Sequence, residues 1–137
     1  MGERENNLEI GKSYLERAHS KLRSAKILLN EKAFDDSISR SYYAVHLATQ
    51  GILLILGETP RSHSGLITVF GLKVVKTGLI SKEYAKILTN LFDARQASDY
   101  NALVWYEETD TKDYLIKAEK FVKRIDELFE SLVSSDQ

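Results

Sequence analysis

Leu8, Gly11, Leu15, Ala18, Leu22, Ala25 and Leu29 follow one another in alternating steps of three and four, the spacing that lines up one face of an α-helix. Asn30 to Lys32 breaks the pattern, and Asp35 or Asp36 can cap a second helix that runs to Leu56 with Gly57 as its stop. Glu58 to His63 holds the proline and reads as a loop. Ser62 or Ser64 then caps a shorter helix carrying Leu66, Ile67, Phe70 and Val74, which Gly78 ends. Ser81 caps a fourth helix through Tyr84, Leu88, Leu91 and Ser98 that loses regularity near Leu103 to Glu107. The last helix, opened by Thr109 or Asp110, carries Leu115, Ala118, Val122, Ile125, Phe129 and Leu132, a stripe widened by Tyr114, Phe121 and Leu128.

No stretch alternates with a period of two, so no sheet is expected. Four long helices and one short one predict an all-α protein, an antiparallel up-and-down four-helix bundle with one additional short helix. The second helix is apolar on most sides: Tyr42, Val45, Ala48, Ile52 and Ile55 form one stripe, and Ala44, Leu47, Leu53 and Leu54 cover others. Such a helix is either central or at a subunit interface. A two-fold homodimer is the economical way to satisfy the second reading.

The chain of 137 residues reads as a single domain, 1–137, with 1–7 and 134–137 as flexible ends. It contains no cysteine, which rules out disulfides and thiolate metal sites and points to the cytoplasm. Net charge is −1, so binding to nucleic acid requires a local patch rather than a global field. The charged start MGERENNLEIGK does not read as a signal peptide, and the apolar run from Ile52 to Leu56 is too short to span a membrane.

Two polar clusters can carry chemistry. Asp36, Ser39, Tyr43, His46 and Gln50 step along the second helix as a polar seam flanked by Arg40. Asp36 and Ser39 fit its solvent side; Tyr43, His46 and Gln50 sit in apolar surroundings, where polar groups need partners. The second cluster is LFDARQASDYN, residues 91 to 101. Helical register puts Arg95 inside the apolar stripe with Asp99 one turn on. The pair is either an internal ion pair or a forked donor for phosphate or RNA held in place by Asp99. Tyr100 points to the opposite side, for packing or interface contact. His63, beside a helix start, can meet an anion or simply cap the loop; His19 reads as solvated. Three scattered histidines support no metal site, and no glycine-rich phosphate loop or nucleophile elbow is present, so no cofactor is expected.

The segments SRSYYAVHLATQGILLILG, RSHSGLITVFGLKVVKTGLISKE and LFDARQASDYN, in that order, resemble the HEPN superfamily, in particular its small stand-alone members, over roughly Lys12 to Glu130. The resemblance implies a helical bundle that pairs into homodimers and is often encoded beside a minimal nucleotidyltransferase, as a toxin–antitoxin or nucleotide-handling system. Many members are metal-independent ribonucleases whose signature is an Arg followed after four to six residues by a His. Arg95 matches the Arg, followed by a polar Gln96. Where the His should stand the chain has Asp99 and Tyr100, and no histidine follows His63. In some related toxins a tyrosine two residues beyond that histidine accepts a nucleotide from the partner. Counted from Tyr100, that position is Ala102 here.

Three functions are therefore expected as alternatives. The first is a HEPN-like dimer that binds a nucleotide or nucleic acid and partners a nucleotidyltransferase, with Arg95, Asp99, Tyr100, Tyr43, His46, Gln50 and His63 as binding residues. The second is a ribonuclease toxin with a variant Arg-x4-Tyr site, in which Arg95 and His46 are catalytic. The third is a non-catalytic interaction module whose Arg95–Asp99 pair is structural.

Overall fold

The computed structural model describes residues 2–135. Its helices are α1 (Glu3–Asn30), α2 (Phe34–Ile55), α3 (His63–Phe70), α4 (Lys82–Tyr100) and α5 (Glu108–Ser134), and α3 runs directly into a π-helical turn, Gly71–Val75. There is no strand among the described residues. Of the ends expected to be flexible, residues 3–7 form the first turns of α1 and Ser134 ends α5; residues 1, 136 and 137 lie outside the described residues.

Cross-helix contacts give the directions. Gly11 meets Gly51, and Ser37 Oγ donates to the Ala25 carbonyl at 2.7 Å, so α1 and α2 are antiparallel. Gly11 also faces Phe129, and His19 pairs with Asp126, which sets α5 antiparallel to α1. Glu83 pairs with Lys120 at one end and Asp93 acts electrostatically on Tyr114 at the other, which sets α4 antiparallel to α5. The result is the up-and-down bundle, with α3 inserted between α2 and α4.

Helix α2 packs against all four other helices. Most of its apolar surface is thus taken up within the chain: Ala44, Val45, Ala48, Ile52 and Leu53 are fully buried. Its apolar faces report a central helix, with Leu47, Leu54 and Ile55 only partly buried. Close approach is bought by small residues, since a Cβ at Gly51 would lie 3.1 Å from the Gly11 carbonyl oxygen.

The helix stops follow backbone chemistry. Gly57 (φ +84°) donates to Leu54 O and Glu58 to Leu53 O, the paired bonds that close a helix through a left-handed residue, and Gly78 (φ +84°) ends the π-helical turn in the same way. After α1 the left-handed position is taken by Lys32 (φ 61°), a conformation glycine adopts more cheaply. Some expected boundaries move. Helix α2 starts at Phe34, placing Asp35 and Asp36 in its first turn rather than at the cap. Helix α4 stops at Tyr100, where the Asn101 side chain turns back to accept from Leu103 N–H at 3.0 Å. Glu107, not Thr109 or Asp110, precedes α5, and the Asp110 carboxylate accepts from its N–H at 3.1 Å.

Candidate functional site

Tyr42 belongs to the buried stripe of α2 and is 1% exposed. A phenol buried that deeply needs a partner for its hydroxyl. It finds two. His46, one turn further along α2, brings Nδ1 to 3.2 Å, and Nδ1 of His63 also bonds the hydroxyl. His63 is the first residue of α3, and its position is set by the cap before it: Ser62 Oγ accepts from Gly65 N–H at 2.9 Å. The two imidazoles stack with ring centroids 4.6 Å apart. Phe92 of α4 closes the cluster, 5.9 Å from the Tyr42 ring and 6.0 Å from His63.

Arg95, one turn after the buried Leu91, points inward as its register predicts, with its side chain 18% exposed. Its guanidinium lies over the rings of Tyr43 (5.1 Å) and Tyr42 (5.8 Å), where the π-faces attract the cation. Nε sits 2.9 Å from Asp99 Oδ2, but the N–H is not aligned on the carboxylate, so the contact is an ion pair without a formed hydrogen bond. The terminal nitrogens have no protein acceptor among the described residues. The half of the fork suited to an oxyanion is left unused.

Burial, then His63 and then Arg95 push the His46 pKa down to about 4. Burial and Arg95 lower that of His63 in the same direction, and burial raises that of Tyr42. Near pH 7 the cluster therefore holds two neutral imidazoles and an intact phenol. The phenol has one proton to give. Both bonds are satisfied only when Tyr42 donates to one Nδ1 and the other ring donates its Nδ1–H to the tyrosine oxygen. The rings then carry opposite tautomers, one with a free Nε2 lone pair and one with Nε2–H. An acceptor and a donor, joined through a shared hydroxyl, stand beside a cation.

The comparison with known proteins fits this arrangement of helices. The family model described as the HEPN domain matches residues 12–128. The chain belongs to the HEPN family. Among its relatives is a UPF0332 protein of Thermotoga maritima, 36% identical over 132 residues that cover 96% of this HEPN chain and 98% of the relative. A Methanocaldococcus jannaschii protein carrying the name "putative toxin MJ0605" is 35% identical over 111 residues, 81% of this chain and 82% of that one. UPF0332 protein PH1297 of Pyrococcus horikoshii is 48% identical over 69 residues, 50% of this chain and 49% of the relative.

Of the residues singled out in the HEPN chain's sequence, Arg95, His46, His63 and Tyr43 come together, and Asp99 joins them through Arg95. Tyr100 does not: it ends α4 and is 76% exposed. Gln50, partly buried, makes no hydrogen bond with the cluster. His19 is exposed but paired, with Nε2 2.6 Å from Asp126 Oδ2, so it ties α1 to α5 rather than standing free in solvent. The sequence pattern marks neither Tyr42 nor Phe92 as a site residue. A tyrosine four residues before a histidine on an apolar stripe was the available signal for Tyr42, since those positions meet on one helix face. Phe92 carried none. Among the described residues no group of three His, Asp or Glu side chains converges as metal ligands, and no helix is long and apolar enough to cross a membrane.

Proposed function

We propose that this chain is the toxin-type, RNA-acting member of a two-protein system, and that Arg95, His46, His63 and Tyr42 break an RNA phosphodiester by metal-independent acid–base chemistry. The observation that carries the reading is the pair of neutral imidazoles bridged by the Tyr42 hydroxyl next to the unused donors of Arg95. The missing motif histidine then matters less, because α2 and α3 supply imidazoles in its stead. The toxin name of the M. jannaschii relative supports the biological side.

In this reading Arg95 holds a non-bridging phosphate oxygen and stabilises the charge that builds as phosphorus becomes five-coordinate. The ring with a free Nε2 takes the proton of the ribose 2′-hydroxyl as that oxygen attacks phosphorus. The bond from phosphorus to the 5′-oxygen breaks, and that oxygen takes the Nε2 proton of the other ring. The products are a 2′,3′-cyclic phosphate and a 5′-hydroxyl. In concert, the first ring passes its Nδ1 proton to Tyr42 while Tyr42 passes its own to Nδ1 of the second. Both rings end neutral with their tautomers exchanged. A bound phosphate also offsets the Arg95 charge, which raises the proton affinity of both imidazoles when it is needed.

The reading includes a homodimer and a minimal nucleotidyltransferase as partner. Tyr100, Leu103 and Trp105, 76%, 91% and 79% exposed, form an apolar stretch directly after Arg95 and Asp99, which suits a two-fold contact close to the site. The deciding experiment is incubation of the purified protein with single-stranded RNA in EDTA beside Arg95→Ala. Arg95-dependent fragments ending in cyclic phosphate support the reading, and intact RNA removes it. A second reading, nucleotide binding without cleavage, is favoured by Asp99 and Tyr100 standing in place of the motif histidine. Saturating ATP must then raise the melting temperature.

A further inference from the structure

The seam on α2 does not face open solvent along its whole length. Its first half forms one wall of a groove of about 600 Å³ whose other wall is α1: Asp36, Arg40 and Tyr43 stand on one side, Arg17 and Lys21 on the other. Arg17, Lys21 and Arg40 have no carboxylate within ion-pair distance among the described residues, although Asp36 lines the same groove. Elsewhere the cations Lys73, Lys117 and Lys120 do find carboxylates. Three unpaired cations against one anion leave a local positive excess in a chain whose net charge is −1.

Tyr43 belongs to both places. It lines the groove, and its ring carries the Arg95 guanidinium at 5.1 Å. The groove therefore borders the cluster at Tyr43. From Asp36 to Leu47 its α2 wall runs for about 16 Å at the helical rise, room for a short run of nucleotides. Cations spaced along a groove with an aromatic ring in its wall form a surface that tracks a phosphate backbone irrespective of sequence. An acidic peptide would also meet the charge. Continuity with Arg95, which needs a phosphate to act on, favours the nucleic-acid strand.

We infer that the α1–α2 groove is a track for single-stranded RNA, with Arg17, Lys21 and Arg40 holding backbone phosphates of the strand whose next linkage lies at Arg95. This rests on the reading of the chain as RNA-acting, but it is tested by binding alone. The probe is a fluorescent oligouridylate of about ten nucleotides, fully 2′-O-methylated so that it cannot be cleaved, titrated with the whole protein at several salt concentrations. The wild type binds. The triple variant Arg17→Gln, Lys21→Gln, Arg40→Gln loses at least tenfold in affinity, and its log–log salt slope falls by about 2, as expected for three lost single-strand contacts. The pair Lys112→Gln, Lys117→Gln on α5 binds like the wild type. The single variant Lys21→Gln, checked by its melting curve, shows a smaller loss in the same direction and guards against misfolding of the triple variant.

Wild-type affinity and slope in the triple variant overturn the track, as does a wild type that binds no RNA. Displacement of the probe by polyglutamate as effectively as by unlabelled oligouridylate makes the groove an acidic-peptide site and overturns it too. Groove-dependent binding without any cleavage leaves the track standing and removes the catalytic reading. Cleavage with an unchanged KM in the triple variant does the reverse.

Discussion

His46 and His63 come from different helices, yet their rings stack at 4.6 Å and both turn Nδ1 to the same buried hydroxyl. Neither histidine does this by itself. The arrangement exists because Tyr42 is in the core and its oxygen has to be satisfied there, so a demand of packing assembles the proton-handling groups.

Tyr42→Phe tests that dependence. The substitution keeps the ring and removes the bridge, leaving two Nδ1 atoms without their partner. The expected loss of stability is about 1–3 kcal/mol, read from urea unfolding. RNA cleavage should fall at least tenfold, and its pH profile should change because the two rings no longer exchange protons. A variant with the wild-type profile would show that the hydroxyl serves packing only.

Arg95→Ala should reduce cleavage by about a hundredfold or more, the usual cost of removing a donor aimed at developing negative charge. Arg95→Lys should recover little of it, because a single ammonium cannot replace the fork over two aromatic rings. Full activity in the lysine variant would mean that the site asks only for charge.

Stability should depend on pH through His46. Its folded-state pKa is depressed to about 4 from 6.5. Between these values the unfolded chain binds more protons, so stability rises with pH and is lost as pH falls through the window. The ring is partly exposed, and the discounted effect is on the order of 1–2 kcal/mol. Groups around it add to the sign: His63 is depressed too, and Arg95 opposes charging of both. Melting temperatures from pH 4 to pH 7 should rise in the wild type and flatten in His46→Gln.

Ser62→Ala removes the bond from Gly65 N–H that caps α3. The direct cost is about 1 kcal/mol. Because His63 is the next residue, cleavage should fall further than this loss of stability explains, while binding of the methylated oligouridylate stays near wild type.

Gly51→Ala probes the α1–α2 crossing. A Cβ there would sit 3.1 Å from the Gly11 carbonyl oxygen and 3.2 Å from Tyr14 Cβ. Alanine gains roughly 1 kcal/mol in helix propensity, but separating two packed helices costs more. A net destabilisation of about 1–2 kcal/mol is expected in urea titration.

Some of the site was open to inspection in the residues. Arg95 had to point inward because it shares the register of Leu91, and His46 lay on a polar seam in an apolar helix; both readings survive. Tyr42 reads as core alone, since apolar spacing cannot tell a phenylalanine-like role from that of a hydroxyl that needs a partner. His63 sits after the proline loop, and no periodicity carries across such a break. Asp36, Ser39 and Tyr43 fall on one line with Arg40 beside it, but the facing Arg17 and Lys21 belong to a separate helix, and only packing makes the two faces into a groove.

The sequence by itself determined five helical segments and most of their ends, because apolar period, caps and left-handed glycines act over a few residues and need no distant partner. It also determined that an arginine would be drawn into the bundle. Tertiary structure decided that α2 is the central helix, that histidines from two helices share one hydroxyl, and that Arg95 keeps its terminal donors free. These depend on which faces meet across the bundle, and side-chain periodicity describes a face without naming the one it will touch.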